Sequence, residues 1–358
     1  MSDLYLSHIR NWILRSPPAE WAIKNARELL IGTLRQGPIP QHVAFEMDGN
    51  RRFAKNHKIE TIEGHHLGFE ALARVLEICY KSGVKVVTVY AFSIENFNRP
   101  KNEVKGLMAM AKVKLEQLVQ HGELLDRYGA KLRILGERDL IPEDVLPHVD
   151  RAIEMTKHNN DAVLNICFPY TSRAEMASSI RATVEEYTTP TRSSNGPFSP
   201  TRISQKIRSN QLKHGHSTTP TRETSPDPTA KSDVDGSVSS TTALDPDSPP
   251  LQSTTNPAAS ACKYPNPETI TAETIDNHTY TREDPPLDMF IRTSGVTRLS
   301  DFMLWQCHED THIFFLSCFW PEFDLWQFVP VLLEWQWRQK KKMEREGNSR
   351  RALKDRVD

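Results

Sequence analysis

Short β-branched runs alternate with longer stretches of helical periodicity along most of this chain. His42 to Met47 reads as a strand. Gly64 to Ser82 reads as a helix with Phe69, Leu72, Leu76 and Cys79 on one face. Val84 to Tyr90 is a β-branched strand set off by Gly83. Glu103 to Tyr128 reads as one long helix, with Leu107, Met108, Ala111, Leu115 and Leu118 on its apolar side. Then come a strand at Lys131 to Leu135, a helix at Pro142 to Lys157, a strand at Val163 to Phe168 and a helix at Thr171 to Tyr187. Further on lie a strand at Leu287 to Ile291, a short helix through Phe302 to Gln306, a strand at His312 to Leu316 and a terminal helix from Phe323. Strands separated by helices predict an α/β fold with a central, mostly parallel sheet flanked by helices. Ligands on such sheets bind beyond the carboxyl ends of the strands.

The pattern breaks between Thr188 and Lys263, where Ser, Thr, Pro, Asn and Asp dominate and Phe198 is the one aromatic residue. Such a stretch buries too little apolar surface to offset the entropy of ordering it, so 188–263 is expected to be a disordered insert. Residues 40–187 and 264–338 then form one domain across it. Residues 1–39 carry large apolar residues (Trp12, Trp21, Leu29, Leu30, Leu34) among Arg10, Arg15, Lys24, Arg27 and Arg35. That composition suits a helix lying on a membrane surface or one packed on the domain or a partner subunit. Residues 339–358 form a basic tail.

Overall charge narrows the picture. The 358 residues carry 45 Lys+Arg against 46 Asp+Glu, leaving no cationic excess for a nucleic-acid backbone. The five cysteines are odd in number and form no C-x-x-C pair, which points to a reducing compartment. No apolar run is long enough to span a bilayer, and the N-terminus lacks the pattern of a secretory signal.

Three polar segments follow predicted strands. Asp48-Gly49-Asn50-Arg51-Arg52 sets one carboxylate and two guanidinium groups beside a glycine. Backbone N–H groups can approach an anion there, and Asp48 can hold a Mg²⁺ that takes its other ligands from water and phosphate. Ser93-Ile94-Glu95-Asn96-Phe97-Asn98-Arg99 follows the second strand. Arg292-Thr293-Ser294-Gly295-Val296-Thr297-Arg298-Leu299-Ser300-Asp301 gathers two arginines and several hydroxyls around a glycine, which suits a diphosphate clamp.

The blocks D-G-N-R-R-x-A, Y-A-F-S-x-E-N-F-x-R-P, P-Y-T-S-R, R-T-S-G-x-x-R-L-S-D-F-x-L-W-Q and W-P-E-F occur in this order between Pro40 and Gln336. Together they resemble the signature blocks of the cis-prenyltransferases, in the variants of the eukaryotic dolichol branch. The resemblance implies an enzyme that condenses isopentenyl diphosphate onto an allylic diphosphate, expected to be farnesyl diphosphate, with Mg²⁺ as cofactor. It implies Asp48 and Asn96 as catalytic residues, with Asp48 also holding the metal. Gly49, Asn50, Arg51, Arg52, His65, Ser93 and Arg99 would hold the allylic diphosphate, and Arg292, Arg298 and Ser300 that of isopentenyl diphosphate. Phe53 and Phe97 would flank the prenyl groups. The proton acceptor stays open between Asn96 and a released phosphate oxygen. By the same resemblance the expected setting is the cytoplasmic face of the endoplasmic reticulum membrane or lipid droplets, through peripheral contact. The expected product is a long polyprenyl diphosphate for dolichol synthesis and protein glycosylation.

Three positions depart from the pattern. Glu46 stands where an aliphatic residue is usual, Val296 where many relatives carry Glu, and no clear counterpart of a bacterial glutamate occurs among Glu309, Asp310 and Thr311. Single-subunit relatives end in R-x-G. Arg345-Glu346-Gly347 matches that formally but sits within a solvated basic stretch, so a related non-catalytic subunit is expected as partner. Intact Asp48, Asn50, Arg52, Arg292 and Arg298 give this chain the catalytic role. His308-Glu309-Asp310-Thr311-His312 matches H-E-x-x-H, but the strand-like Ile313 to Leu316 prevents both histidines from sharing a helix face, so a zinc protease is not expected.

Overall fold

Six short strands build the core: β1 (His42–Glu46), β2 (Val86–Tyr90), β3 (Ala130–Leu135), β4 (Ala162–Cys167), β5 (Met289–Arg292) and β6 (His312–Phe315). In this computed structural model, which describes residues 17–120, 124–190, 264–308 and 310–354, they form one sheet in the order β3-β4-β2-β1-β5-β6. Every pairing is parallel. From β1 the chain passes to β2 beside it, out to β3 at the edge and back to β4 between them, then crosses to the other side of β1 as β5 and β6. The strand order therefore reverses between β1 and β5, which is where such sheets open a ligand crevice.

The helices are α1 (Pro17–Leu34), α2 (Asn50–His57), α3 (Thr61–Ser82), α4 (Lys101–Val119), α5 (Leu124–Arg127), α6 (Leu146–Thr156), α7 (Ser172–Thr188), α8 (Ala272–Asp276) and α9 (Leu325–Lys354). Strand alternation sends Val43 and Phe45 into a large core with Leu72, Leu76, Leu115, Phe328 and Leu332. Ala44 faces the other side, in a smaller core with Phe290, Phe302, Met303 and Tyr170.

Several expectations change. The predicted Glu103–Tyr128 helix is two helices, because Gln120 turns extended (φ −60°, ψ 142°) after α4. Phe302 to Gln306 is a chain of turns with Met303 at φ 48°, held open by Leu304 N–H donating to Ser172 Oγ at 2.9 Å. The helix α2 was not predicted. Its eight residues carry too little apolar periodicity to stand out, and only Ala54 is buried. The second half of α1 packs on the domain, with Ile31 and Leu34 buried and Arg27 paired to Asp324. Trp21 and Leu29 stay exposed, and residues 1–16 lie outside the described residues. Arg345-Glu346-Gly347 falls inside α9. His308 lies in a bend and His312 begins β6, so the H-E-x-x-H match is no helical site; Glu309 lies outside the described residues.

The chain divides into two compact units, Met1–Glu186 with Ile270–Asp358, and Tyr187–Thr269. In the second unit the Tyr187 hydroxyl lies 3.2 Å from Thr269 Oγ1, and Glu268 N–H donates to Asn266 Oδ1 at 3.1 Å. The expected insert falls largely on 191–263, outside the described residues.

A buried polar chain runs across the sheet. His42 pairs with Pro285 O at 2.9 Å and with Thr88 Oγ1 at 2.7 Å. Asn165 donates to Thr88 Oγ1 at 3.1 Å and to Asp284 Oδ2 at 2.7 Å, and Arg133 pairs with Asp284 Oδ1 at 2.8 Å. Burial lowers the His42 pKa, so the neutral ring joins this chain. Asp284→Ala strands the Asn165 amide and the Arg133 guanidinium in the interior. It is expected to lower stability by roughly 3 kcal/mol in urea denaturation, whereas the pair Asp284→Leu with Arg133→Met loses less.

Candidate active site

The site forms where β1 and β5 end side by side. Glu46 and Arg292 are register partners there. After Glu46 the chain turns through Asp48 and Gly49 into α2. Gly49 adopts φ 109°, and a Cβ on it would lie 2.9 Å from the Phe319 ring and 3.2 Å from the Phe319 Cα, so this position requires glycine. As the N-cap of α2, Gly49 offers no side chain to the first-turn N–H groups. Those groups point outward as an anion cradle.

Asp48 Oδ2 receives Arg292 Nη2 at 2.7 Å and Arg52 Nη2 at 3.1 Å. Its backbone oxygen accepts from Thr293 Oγ1 at 2.7 Å and from Trp320 N–H at 3.1 Å, which fixes the turn. The side chain remains 30% exposed. Arg52 also donates to Ser294 O at 3.1 Å, tying α2 to the loop after β5. Asn50 turns inward: its Nδ2 donates to Met47 O at 3.3 Å, and its Oδ1 is buried where a Cβ on Gly68 would meet it at 2.3 Å.

Arg292 is only 2% exposed. Its Nη1 lies 2.7 Å from Glu46 Oε1, 2.6 Å from Ser300 Oγ and 2.5 Å from Arg298 O. It acts as an internal post that orders Asp48 and the loop. Arg298 is exposed, with its Nε donating to Ser300 Oγ at 3.1 Å, and carries the outward charge. The loop is strained: Ser294, Ser300, Asp301 and Met303 all have positive φ. It is braced by Arg173, whose Nε donates to Asp301 Oδ2 at 2.7 Å, and by Ser172 N–H donating to Asp301 O at 2.7 Å. Such strain persists only where surrounding contacts over-determine it, as they do here.

The segment after β2 supplies the third wall. Ser93 Oγ accepts from Glu95 N–H at 3.2 Å and opens the 3-10 turn Ile94–Asn98 that places Asn96 on the cavity. Arg99 pairs with Glu103 at 3.1 Å. Burial first, then neighbouring Arg51, lowers the Arg99 pKa. His65 on α3 is buried with Nε2 unpartnered. Burial and the nearby Arg99 push its pKa down to about 4, so it is neutral near pH 7. Glu46 is 6% exposed, and burial raises its pKa to about 8 against the opposing pull of Arg292.

These groups ring the mouth of a cavity of about 960 Å³. Asp48, Gly49, Asn50, Arg51, Arg52, His65, Ser93, Asn96, Arg99, Arg292, Arg298 and Ser300 all line it. Along α3 and α4 the wall is mostly apolar: Phe69 and Leu72 from α3, Leu107, Ala111, Leu115 and Leu118 from α4, with Lys114 among them, and Ile134, Ile166 and Phe168 from the strand side. Phe92 and Phe168 line the cavity, whereas Phe53 and Phe97, expected to flank the prenyl groups, are not among its lining residues. Phe53 stacks on His57 at 4.0 Å, and Phe97 packs edge-on against Phe92 at 4.9 Å. Only the helical periodicity of α4 pointed to this wall in the sequence. The part of Glu46 could have been found from its place two residues before Asp48 on a buried strand.

Among the described residues no group of three or more His, Cys, Asp or Glu could hold a metal. One half-exposed carboxylate ringed by guanidinium groups fits a Mg²⁺ that arrives with a diphosphate and keeps its waters. It does not fit an all-protein cage.

Comparison with known proteins agrees with this geometry. The profile of the undecaprenyl diphosphate synthase prenyltransferase family matches residues 47–227 and 238–343. A dehydrodolichyl diphosphate synthase complex subunit of Schizosaccharomyces pombe is 37% identical over 331 residues, 92% of this chain and 98% of that protein. The human dehydrodolichyl diphosphate synthase complex subunit is 33% identical over 85% of this chain and 69% of its own. Among solved structures, lavandulyl diphosphate synthase from Lavandula x intermedia shares the fold with a TM-score of 0.55 at 20% identity, covering 83% of this chain and 95% of that one. With the family profile matching most of the chain and a relative 37% identical over nearly its full length, the chain belongs to the undecaprenyl diphosphate synthase family of prenyltransferases.

Proposed function

We propose that this chain condenses isopentenyl diphosphate onto an allylic diphosphate, farnesyl diphosphate as starter, and repeats the step to make a long-chain dehydrodolichyl diphosphate for dolichol synthesis and protein glycosylation. The observation that carries this reading is the division of one cavity into a cationic mouth around Asp48 and an apolar interior. The mouth suits two diphosphates and the interior a growing prenyl chain.

The allylic diphosphate sits on the α2 cradle with Arg51, Arg52 and Arg99, which neutralise the charge that grows as its C–O bond breaks. Arg298 and Ser300 hold the second diphosphate and aim its alkene at the allylic carbon, and this positioning supplies much of the rate. As the new C–C bond forms, a proton leaves the neighbouring carbon. Asn96 is an amide with no titratable base, so an oxygen of the departing diphosphate takes that proton while Asn96 holds the group in place. Mg²⁺, carried by Asp48 and the diphosphate oxygens, would make the diphosphate a better leaving group. The test is incubation with farnesyl diphosphate, labelled isopentenyl diphosphate and Mg²⁺, followed by product sizing. Asp48→Ala is expected to lose turnover while unfolding normally, and Arg298→Ala to raise the KM for isopentenyl diphosphate by tenfold or more. Near-normal synthesis by Asp48→Ala would remove Asp48 from the mechanism.

The relatives are named as complex subunits, and a related non-catalytic chain is the partner we infer. The edge strand β6 supports this. Its Ile313 and Phe315 are exposed opposite the buried Phe314, an apolar edge of the kind that second subunits cover. Weak activity alone and strong stimulation by such a subunit are expected. Full activity of the isolated chain, abolished by Arg345→Ala, would mean a self-sufficient homodimer.

Peripheral contact with the cytoplasmic face of the endoplasmic reticulum or lipid droplets completes the proposal. Among the described residues no helix is long and apolar enough to cross a membrane. The outer face of α9 exposes Trp326, Leu333 and Trp337, followed by Arg338, Lys340, Lys341 and Lys342, with Lys341 Nζ 3.9 Å from the Trp337 ring. Aromatic rings beside lysines favour the headgroup region. In flotation with anionic vesicles the chain should rise with the lipid, and a Trp326→Ser, Trp337→Ser variant should stay below. Equal flotation of the two would place the contact elsewhere.

A further inference from the structure

Among the described residues of the mouth Arg292 is the most deeply buried cation, and what faces it is the Glu46 carboxyl group. Its Nη1 donates to Ser300 Oγ at 2.6 Å and Arg298 O at 2.5 Å and lies 2.7 Å from Glu46 Oε1, and its Nη2 donates to Asp48 at 2.7 Å. A diphosphate held by Arg298 and Ser300 reaches this same guanidinium only by competing with what already sits there. Two of the four contacts, Ser300 Oγ and Arg298 O, come from the loop that follows β5. Asp48 is shared with Arg52 and serves the allylic side. Glu46 stands at the end of a buried strand in register with Arg292, with its second oxygen covered and without a partner. That unpartnered oxygen marks a carboxyl group placed at a cost in desolvation, since burying an oxygen without a hydrogen bond is unfavourable. A hydrophobic residue at the same place would fill the space without it.

We propose that Glu46 is a resident competitor on Arg292: by occupying Nη1 it weakens the binding of the isopentenyl diphosphate headgroup, and so sets the affinity of that subsite. Glu46 acts through Arg292 and touches no reacting atom. It is a positioning residue, and its effect falls on substrate affinity ahead of the chemical step. The inference rests on the assignment of Arg298 and Ser300 to isopentenyl diphosphate.

The test compares the intact chain with Glu46→Val and Glu46→Gln, with the partner subunit present if activity requires it. Calorimetry with isopentenyl diphosphate and Mg²⁺, without allylic substrate, reads binding. Release of one charge-assisted contact is expected to tighten binding by about tenfold in Glu46→Val, with a smaller change in the same direction for the isosteric Glu46→Gln. The KM for isopentenyl diphosphate should fall by a similar factor, kcat should move less, and the Mg²⁺ concentration for half-maximal activity should stay in place. Unchanged or weaker binding in both variants overturns the inference. So does a large rise in the Mg²⁺ requirement, which would assign Glu46 to the metal instead. A wild-type chain that binds no isopentenyl diphosphate overturns the functional reading as well, whereas one that binds it and is not tightened by Glu46→Val overturns this inference alone.

Discussion

The interaction on which the site depends is the buried contact of Arg292 with Glu46 and Asp48. It sits where the strand order reverses, so it joins the two halves of the sheet as well as the two halves of the site. A guanidinium is planar and presents its N–H groups in a fixed fork, so fixing one side of it aims the other. With Nη1 held by Glu46 and by the loop, Nη2 has one direction left, and Asp48 lies along it. Leaving this cation buried without its acceptors would cost several kcal/mol, roughly the margin on which a domain's stability rests. The strained turns at Ser294, Ser300 and Asp301 are held by the same contacts.

Around that post the cavity separates two kinds of chemistry. Charge is kept at the strand ends, where helix α2 and the loops can offer N–H groups and arginines to water and substrate. Beyond the first turn of α3 and α4 the lining becomes mostly aliphatic and aromatic, with Lys114 held over the Phe69 ring. The two regions meet at Trp320. It is buried, donates its indole N–H to Gly68 O at 2.7 Å, and stacks on Phe323 with ring centroids 5.5 Å apart. Its backbone N–H bonds to Asp48 O. The W-P-E-F segment therefore supports the catalytic turn from below, although it comes more than two hundred residues later in the chain.

Much of this was legible in the residues themselves. The β-branched runs at Val86–Tyr90 and Ala162–Cys167 and the apolar stripe of α4 marked strands and helix because their periodicity is strong. The loops after β1 and β5 could be read as phosphate-binding because glycine and arginine, with hydroxyl residues in the second, sit together where a parallel sheet presents its carboxyl ends. The turns at Phe302 to Gln306 could not be read. Their apolar residues mimic a helix, and bonds to residues far away in sequence, from Leu304 to Ser172 and from Gln306 to Glu175, hold them in turns. The same holds for Phe53 and Phe97. Their type suited a prenyl wall, but their direction depends on His57 and Phe92.

The sequence by itself determined the fold class, the family and the set of polar residues at the site, because each is written in local periodicity or in the order of short motifs. Only the tertiary structure decided which arginine faces substrate and which faces inward. Arg292 and Arg298 are six residues apart on one loop and look interchangeable in the chain. Pairing β1 with β5 places Glu46 opposite Arg292, so one guanidinium is spent inside the protein and the other is left at the surface. That distinction comes from strand register, a relation between segments nearly 250 residues apart that no local pattern records.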